Sequence, residues 1–233
     1  MAAKRSVDDV KTLLRSCKGL SSRQRMDFYD SWAETYEQDS HTMNYTAPHQ
    51  VVDFLNANFS GNPKEAQVLD VACGSGLAAK LMAEHGFRNF VGIDGSKGML
   101  EEAAKTKLYQ DLKQAILGPE PLPAQSGMFD IVIIVGALRD GFVPVSVIPE
   151  LCKAAKPGGL ICMSRIELKS ESGERYAASM EREMQLMETQ RLWTHVASKE
   201  LKGYMMNVYD DSTQEEEQRK YLDGIIYLYR KSL

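Results

Sequence analysis

The sequence is short of several things, and each shortage removes a class of function. Its four cysteines, Cys17, Cys73, Cys152 and Cys162, form no CxxC pair. That argues against a zinc knot or a disulfide scaffold and for free thiols in a reducing compartment. No apolar run approaches the roughly 18–20 residues that a membrane helix needs. Basic residues are not in excess, since 28 Lys+Arg face 32 Asp+Glu for a net charge of −4. Such a surface is poorly suited to neutralising phosphates, which argues against nucleic acid as partner. The first residues, "MAAKRSVDDVKTLLRSCKGL", carry acids and no continuous apolar core, so they read as neither a signal nor a transit peptide. The four histidines are isolated, and no repeat or low-complexity segment is visible. A cytoplasmic protein is the expectation, with a nuclear location left open.

What is present is a chain of 233 residues, 43% hydrophobic and 26% charged, enough to bury one sizeable core. The first sixty residues read as helical. "SVDDVKTLLRSCKGL" offers Ser6 as a cap, apolar residues at helical spacing and Gly19 as a stop, and "RMDFYDSWAETYEQD" repeats the pattern. "APHQVVDFLNANF" opens with Pro48 in its first turn. From Ala66 the pattern changes to short β-rich runs alternating with helical ones: "AQVLDV", "NFVGID", "LKQAIL", "FDIVIIVG" and "GGLICMSRI". Apolar strands alternating with helices predict a parallel sheet covered on both faces. A helix is expected over about 172–201, then strands at "GYMMNVY" and "GIIYLYR". The organisation expected is a helical N-terminal extension over 1–60 and an α/β domain over 61–233, forming one compact unit.

The chemistry concentrates in "VLDVACGSG", a strand that runs into Gly74 and Gly76 and then a helix. Open α/β sheets bind ligands at such strand-to-helix turns. Bare glycines let a ligand approach the backbone. Asp94 closes the second strand at a spacing that suits a carboxylate accepting hydrogen bonds from two ribose hydroxyls, so the ligand is expected to contain a nucleoside. A nicotinamide dinucleotide would set its pyrophosphate on the helix N-terminus, and "GSGLAA" formally meets that pattern with Ala79. Asp70, at the strand end, counts against a pyrophosphate and would suit the ammonium of a methionine moiety. S-adenosylmethionine, cationic and without phosphate, fits the charge pattern better.

"VLDVACGSG", "VGIDGSKGMLEEA", "FDIVIIVGAL" and "KPGGLI" resemble, in order, the motifs of the class I S-adenosylmethionine-dependent methyltransferases. With "FYDSWAETYEQD", "YTAPHQ" and "DGFVPVSVIPEL", the longer pattern is similar to the methyltransferase-like family of the Williams–Beuren region. That resemblance implies a Rossmann-like sheet of seven strands, six parallel and the last antiparallel, with helices on both faces. It implies S-adenosyl-L-methionine as cofactor, S-adenosyl-L-homocysteine as product, no metal, and a small-molecule or protein acceptor. It implies that Asp70, Ala72, Gly74 and Gly76 hold the methionine end. Asp94 would take the ribose, with Gly95, Ser96 and Met99 near the adenosine. Leu117 and Gly118 stand where the family often has an acid beside the adenine amino group, and Gly136 would face the reaction centre.

Tyr29, Trp32 and Tyr36 read either as an aromatic lid over the sulfonium or as a helix's apolar stripe. Cys73 reads as packing beneath the loop. His41 and His49, in "HTMNYTAPH", are candidates for a base acting on the acceptor, and Asp140 and Arg139 are candidates for touching it or for capping the next helix. The acidic run "DDSTQEEE" would discourage phosphate-rich acceptors if it rises on the ligand side. Two other readings stay open: a cofactor-binding protein acting through a partner, and an NAD-dependent oxidoreductase.

Overall fold

The computed structural model describes residues 4–118, 120–208 and 220–233. The acidic run at 210–217 lies outside the described residues. The N-terminal helices are α1 (Val7–Ser16), α2 (Ser22–Trp32), α3 (Tyr36–Thr42) and α4 (Ala47–Asn58). Ser6 and Ser21 each begin a reciprocal cap, with Asp9 and Gln24 respectively, so α1 and α2 satisfy their own first amides. "RMDFYDSWAETYEQD" is not one helix, because a 3₁₀ turn over Ala33–Thr35 links α2 to α3.

The α/β part runs β1 (Gln67–Val71), α5 (Leu77–Glu84), β2 (Asn89–Asp94), α6 (Lys97–Lys105), β3 (Tyr109–Gln114), β4 (Phe129–Ile134), α7 (Val147–Ala154), β5 (Ala155–Ile166), α8 (Glu171–Thr189), β6 (Trp193–Met206) and β7 (Tyr221–Lys231). The sheet order is β3-β2-β1-β4-β5-β7-β6. Pairing is parallel from β3 to β5, and β7 inserts antiparallel between β5 and β6. The expected seven-stranded architecture is therefore the one observed.

Alternation in β4 shows why the sheet is buried twice. Val132 and Ile134 enter a core with Val147 and Leu151 of α7 and Met180 and Met184 of α8. Ile131 and Ile133 enter the opposite core, with Val51 and Leu55 of α4 and Ala79 and Met82 of α5.

Two element boundaries differ from expectation. The last long helix ends at Thr189 rather than near Leu201, and β6 starts at Trp193. Arg191 takes a left-handed φ of 59°, and Trp193, fully buried, stacks on Tyr229 at 4.2 Å. Pairing with β7 from Trp193↔Lys231 to Met206↔Tyr221 overrides the helical propensity of "ASKELK". The third strand begins at Tyr109 rather than within "LKQAIL", drawn by pairing with Phe90.

Candidate functional site

β1 stops at Val71, and the chain then turns through left-handed backbone at Ala72 (φ 55°) and Gly74 (φ 54°) before α5. A side chain built on Gly74 would meet no protein atom within 4 Å, and Gly74 lines a cavity of about 780 Å³, mouth included. The turn therefore presents bare backbone to open space. Of the residues expected at the cofactor, Tyr29, Tyr36, Ala72, Gly74, Asp94, Gly95, Met99, Leu117 and Gly136 all line this cavity.

Asp94 links the two halves of the turn region. Its Oδ2 accepts from Gly74 N–H at 2.9 Å and its Oδ1 from Ser96 N–H at 2.8 Å. Burial raises the carboxyl's pKa above the ordinary value, opposed by the backbone donors of Ser96, Gly74 and Gly95. Each oxygen keeps a further lone pair, so two hydroxyls of a ligand can still be accepted.

Asp70, Gly76, Ser96 and Gly118 are not among the lining residues. Asp70 is 1% exposed, and its Oδ2 accepts from the Tyr109 hydroxyl at 2.8 Å. Burial pushes its pKa up to about 7. One oxygen of the carboxyl is thus engaged with Tyr109. The carboxyl's folded pKa lies above the ordinary value of 3.8, so the stability it contributes is present below about pH 4 and lost as pH rises through about 7. That amounts to a penalty of up to about 4 kcal/mol at alkaline pH. Asp70→Asn keeps an acceptor for Tyr109 and cannot ionise. We expect urea melts of this variant to lose less stability between pH 4.5 and 8 than wild type, and equal losses would exclude the assignment. Asp94 retains part of the slope.

Gly76 packs against Tyr109 and Thr106, and a Cβ on Gly118 would strike Pro144. Ser96 Oγ accepts from Met99 N–H as the cap of α6 and donates to Asp30 Oδ1 at 2.5 Å. His41 and His49 are exposed and line neither this cavity nor its neighbour, and Asp140 is exposed and lines neither. The helix after Asp140, α7, begins behind Ser146 instead. Cys73 is buried, and burial raises its thiol pKa well above the ordinary value, in keeping with packing. Among the described residues no cluster of three or more His, Cys, Asp or Glu could hold a metal.

The N-terminal helices roof the cavity through two carboxylates that patterning does not single out. Asp30 on α2 accepts from Ser96 Oγ and from Gly98 N–H at 2.9 Å. Glu37 on α3 accepts from Ser75 Oγ at 2.7 Å and pairs with Lys80 of α5. Glu37 therefore joins the roof directly to the glycine turn. We expect Glu37→Ala to weaken S-adenosylhomocysteine binding about threefold to tenfold, on the scale of one charge-assisted contact. Unchanged calorimetric affinity would show that the roof holds without it.

A second cavity of about 710 Å³ adjoins the first, and Tyr29, Tyr36, Tyr45 and Gly136 line both. A Cβ on Gly136 would lie 2.1 Å from Tyr45 Oη and 3.0 Å from Tyr204 Oη. The hydroxyls of Tyr45 and Tyr204 are hydrogen-bonded to each other, and Gly136 N–H donates to Ser164 Oγ at 3.1 Å. Burial raises the pKa of Tyr29 to about 12, and those of Tyr36, Tyr45 and Tyr204 also rise above the ordinary value. Phe142, in the first cavity, lies between two guanidinium groups, with Arg25 Cζ at 4.2 Å and Arg139 Cζ at 3.5 Å from its ring centre. Arg139, expected beside Asp140 as an acceptor contact or a helix cap, lines the second cavity, whereas Arg25 carries no sequence signal because its partner Phe142 is brought to it only by the fold.

Residues 62–220 match the family model described as a methyltransferase domain. The chain is 43% identical over 189 residues to human methyltransferase-like protein 27, covering 81% of this chain and 76% of that protein. The fold resembles a chain of the complex between the Haloferax volcanii Trm112 methyltransferase activator and a methyltransferase, with a TM-score of 0.61 at 15% identity over 88% of this chain and 98% of that one. It also resembles an S-adenosylmethionine-dependent methyltransferase from Thermotoga maritima, at 0.56 and 16% over the same shares. The chain belongs to the S-adenosylmethionine-dependent methyltransferases. Among the described residues, no helix is long and apolar enough to cross a membrane.

Proposed function

We propose that the first cavity holds S-adenosylmethionine and the second a methyl acceptor, with transfer at the wall they share. The observation that carries this reading is that junction: Gly136, Tyr29, Tyr36 and Tyr45 border both spaces. The cofactor supplies an activated methyl on a cationic sulfur. In this reading Asp94 accepts the ribose hydroxyls, and Gly74 and Ala72 leave room at the methionine end. Met99 and Leu117 flank the adenosine, and the rings of Tyr29 and Tyr36 favour the positive charge while excluding water. Alignment supplies most of the acceleration, so the absence of a triad from the lining residues is no obstacle.

A dinucleotide fits the same turn badly. Glu37 already sets its carboxylate on Ser75, just before α5, where a pyrophosphate would lie. Asp70 serves the β-sheet side of the turn, as a buried partner of Tyr109, rather than repelling phosphate directly. Calorimetry with S-adenosylmethionine, S-adenosylhomocysteine and NAD tests the proposal. The first two should bind and NAD should not, and NAD binding alone would overturn it. Labelled methyl appearing in a metabolite or protein extract would separate an active enzyme from one that only binds the cofactor.

A further inference from the structure

We propose that the second cavity selects a small hydroxy- or amino-substituted carboxylic acid and that the methyl goes to its carboxylate oxygen. This rests on the reading of the first cavity as the cofactor site. Two residues that line the chamber each carry a buried polar atom with no hydrogen-bond partner among the described residues: Arg139 through Nε, a donor, and Asp39 through Oδ1, an acceptor. Buried groups of this kind cost stability unless a ligand completes them.

The two differ in charge balance. Asp39, 1% exposed, is paired through Oδ2 with Arg5 at 2.5 Å, and the same oxygen accepts from Trp32 Nε1 at 2.8 Å. Arg139 has the face of Phe142 and no carboxylate partner among the described residues. Among the described residues no other Asp or Glu lines the chamber, so the uncompensated charge they supply is a single positive one. The remaining wall is aromatic and aliphatic, including Trp32, Tyr204, Met43 and Ile166. The complement is an apolar body with one carboxylate for Arg139 and one O–H or N–H for Asp39.

The choice of acceptor atom follows from the groups that the described residues place at the junction. Its phenols are held protonated by burial, and His41 and His49 lie outside both cavities. An alcohol, thiol or ammonium acceptor would need a base to remove its proton, whereas a carboxylate needs none. A carboxylate oxygen forms the new O–CH₃ bond as the S–CH₃ bond breaks and its electron pair stays on sulfur. The products are a methyl ester and S-adenosylhomocysteine, with no proton moved.

Calorimetry on the protein saturated with S-adenosylhomocysteine tests this with four probes of one shape: 4-hydroxyphenylacetate, phenylacetate, 4-ethylphenol and tyramine. We expect 4-hydroxyphenylacetate to bind tightest and phenylacetate next. Arg139→Met should weaken 4-hydroxyphenylacetate by about tenfold or more, with Arg139→Lys recovering part of it. Neither variant should change S-adenosylhomocysteine affinity. With labelled donor, 4-hydroxyphenylacetate should acquire label that mild base releases as methanol. Preference for tyramine or 4-ethylphenol, no preference for the carboxylates, an unaltered Arg139→Met, or label stable to base would each overturn the proposal. Loss of S-adenosylhomocysteine binding in Arg139→Met alone would reassign Arg139 to the cofactor and overturn it too. Failure of wild type to bind S-adenosylhomocysteine would instead sink the underlying reading of the first cavity.

Discussion

Asp94→Ala should weaken S-adenosylhomocysteine binding by at least about tenfold and leave the protein folded, because a charge-assisted hydrogen bond contributes about 1.5–3 kcal/mol. The structure sharpens that expectation. Both carboxylate oxygens already accept backbone N–H groups, one from Gly74 in the β1–α5 turn and one from Ser96 at the start of α6. The substitution therefore removes the acceptors proposed for the ribose and releases the turn that Asp94 holds through Gly74. Asn at the same position is no gentle replacement. Its one oxygen can satisfy either Gly74 or Ser96, and its NH₂ would then confront the other N–H donor. Asp94→Asn should approach Asp94→Ala in severity, whereas Asp94→Glu moves the carboxylate but keeps two acceptors. Isothermal titration of the three variants checks the order. An Asn variant that binds like wild type would mean the carboxylate serves neither the turn nor the ligand.

The difference between these variants bears on how legible the site is. The β1–α5 turn can be read from sequence because its signals are local: an apolar run, two glycines and a helix in one short stretch, followed by an acid at the end of the next strand. The alternation of β-rich and helical runs likewise reports a sheet covered twice, since burial on both faces leaves continuous apolar strands such as "IVII". The boundaries of β6 are illegible, because "ASKELK" is a good helix by propensity and becomes a strand only by pairing with β7. The partner of Asp70 is hidden for a similar reason. The position of this acid at the strand end suggests a ligand contact, while the phenol that takes its carboxyl arrives from β3. Glu37 and Asp30 lie within "FYDSWAETYEQD" but nothing in that pattern marks them out, and Tyr204 carries no motif at all. Each acquires a role only when an N-terminal helix or a late strand folds over the turn.

The roof and the late strands meet at Gly136, and the second large effect is expected there. Gly136 holds φ at +76°, a conformation an L side chain adopts at a cost of roughly 1 kcal/mol or more. Strain alone would make Gly136→Ala a modest mutation. The contacts make it a severe one, because the added methyl would lie 2.1 Å from Tyr45 Oη and 3.0 Å from Tyr204 Oη. Gly136 is held from behind by its N–H bond to Ser164, and β4 is fixed between β1 and β5, so the backbone has little room to withdraw. The phenols must move instead, and Tyr45 stands at the junction of the two cavities. Displacement of this order between reacting groups costs about a hundredfold in rate. We expect Gly136→Ala to bind S-adenosylhomocysteine within several-fold of wild type and to lose about two orders of magnitude or more in methyl transfer. Gly136→Ala combined with Tyr45→Phe, which removes the closest clashing atom, should recover part of the rate. If Gly136→Ala turned over at the wild-type rate, the methyl would have to pass somewhere other than the wall between the cavities.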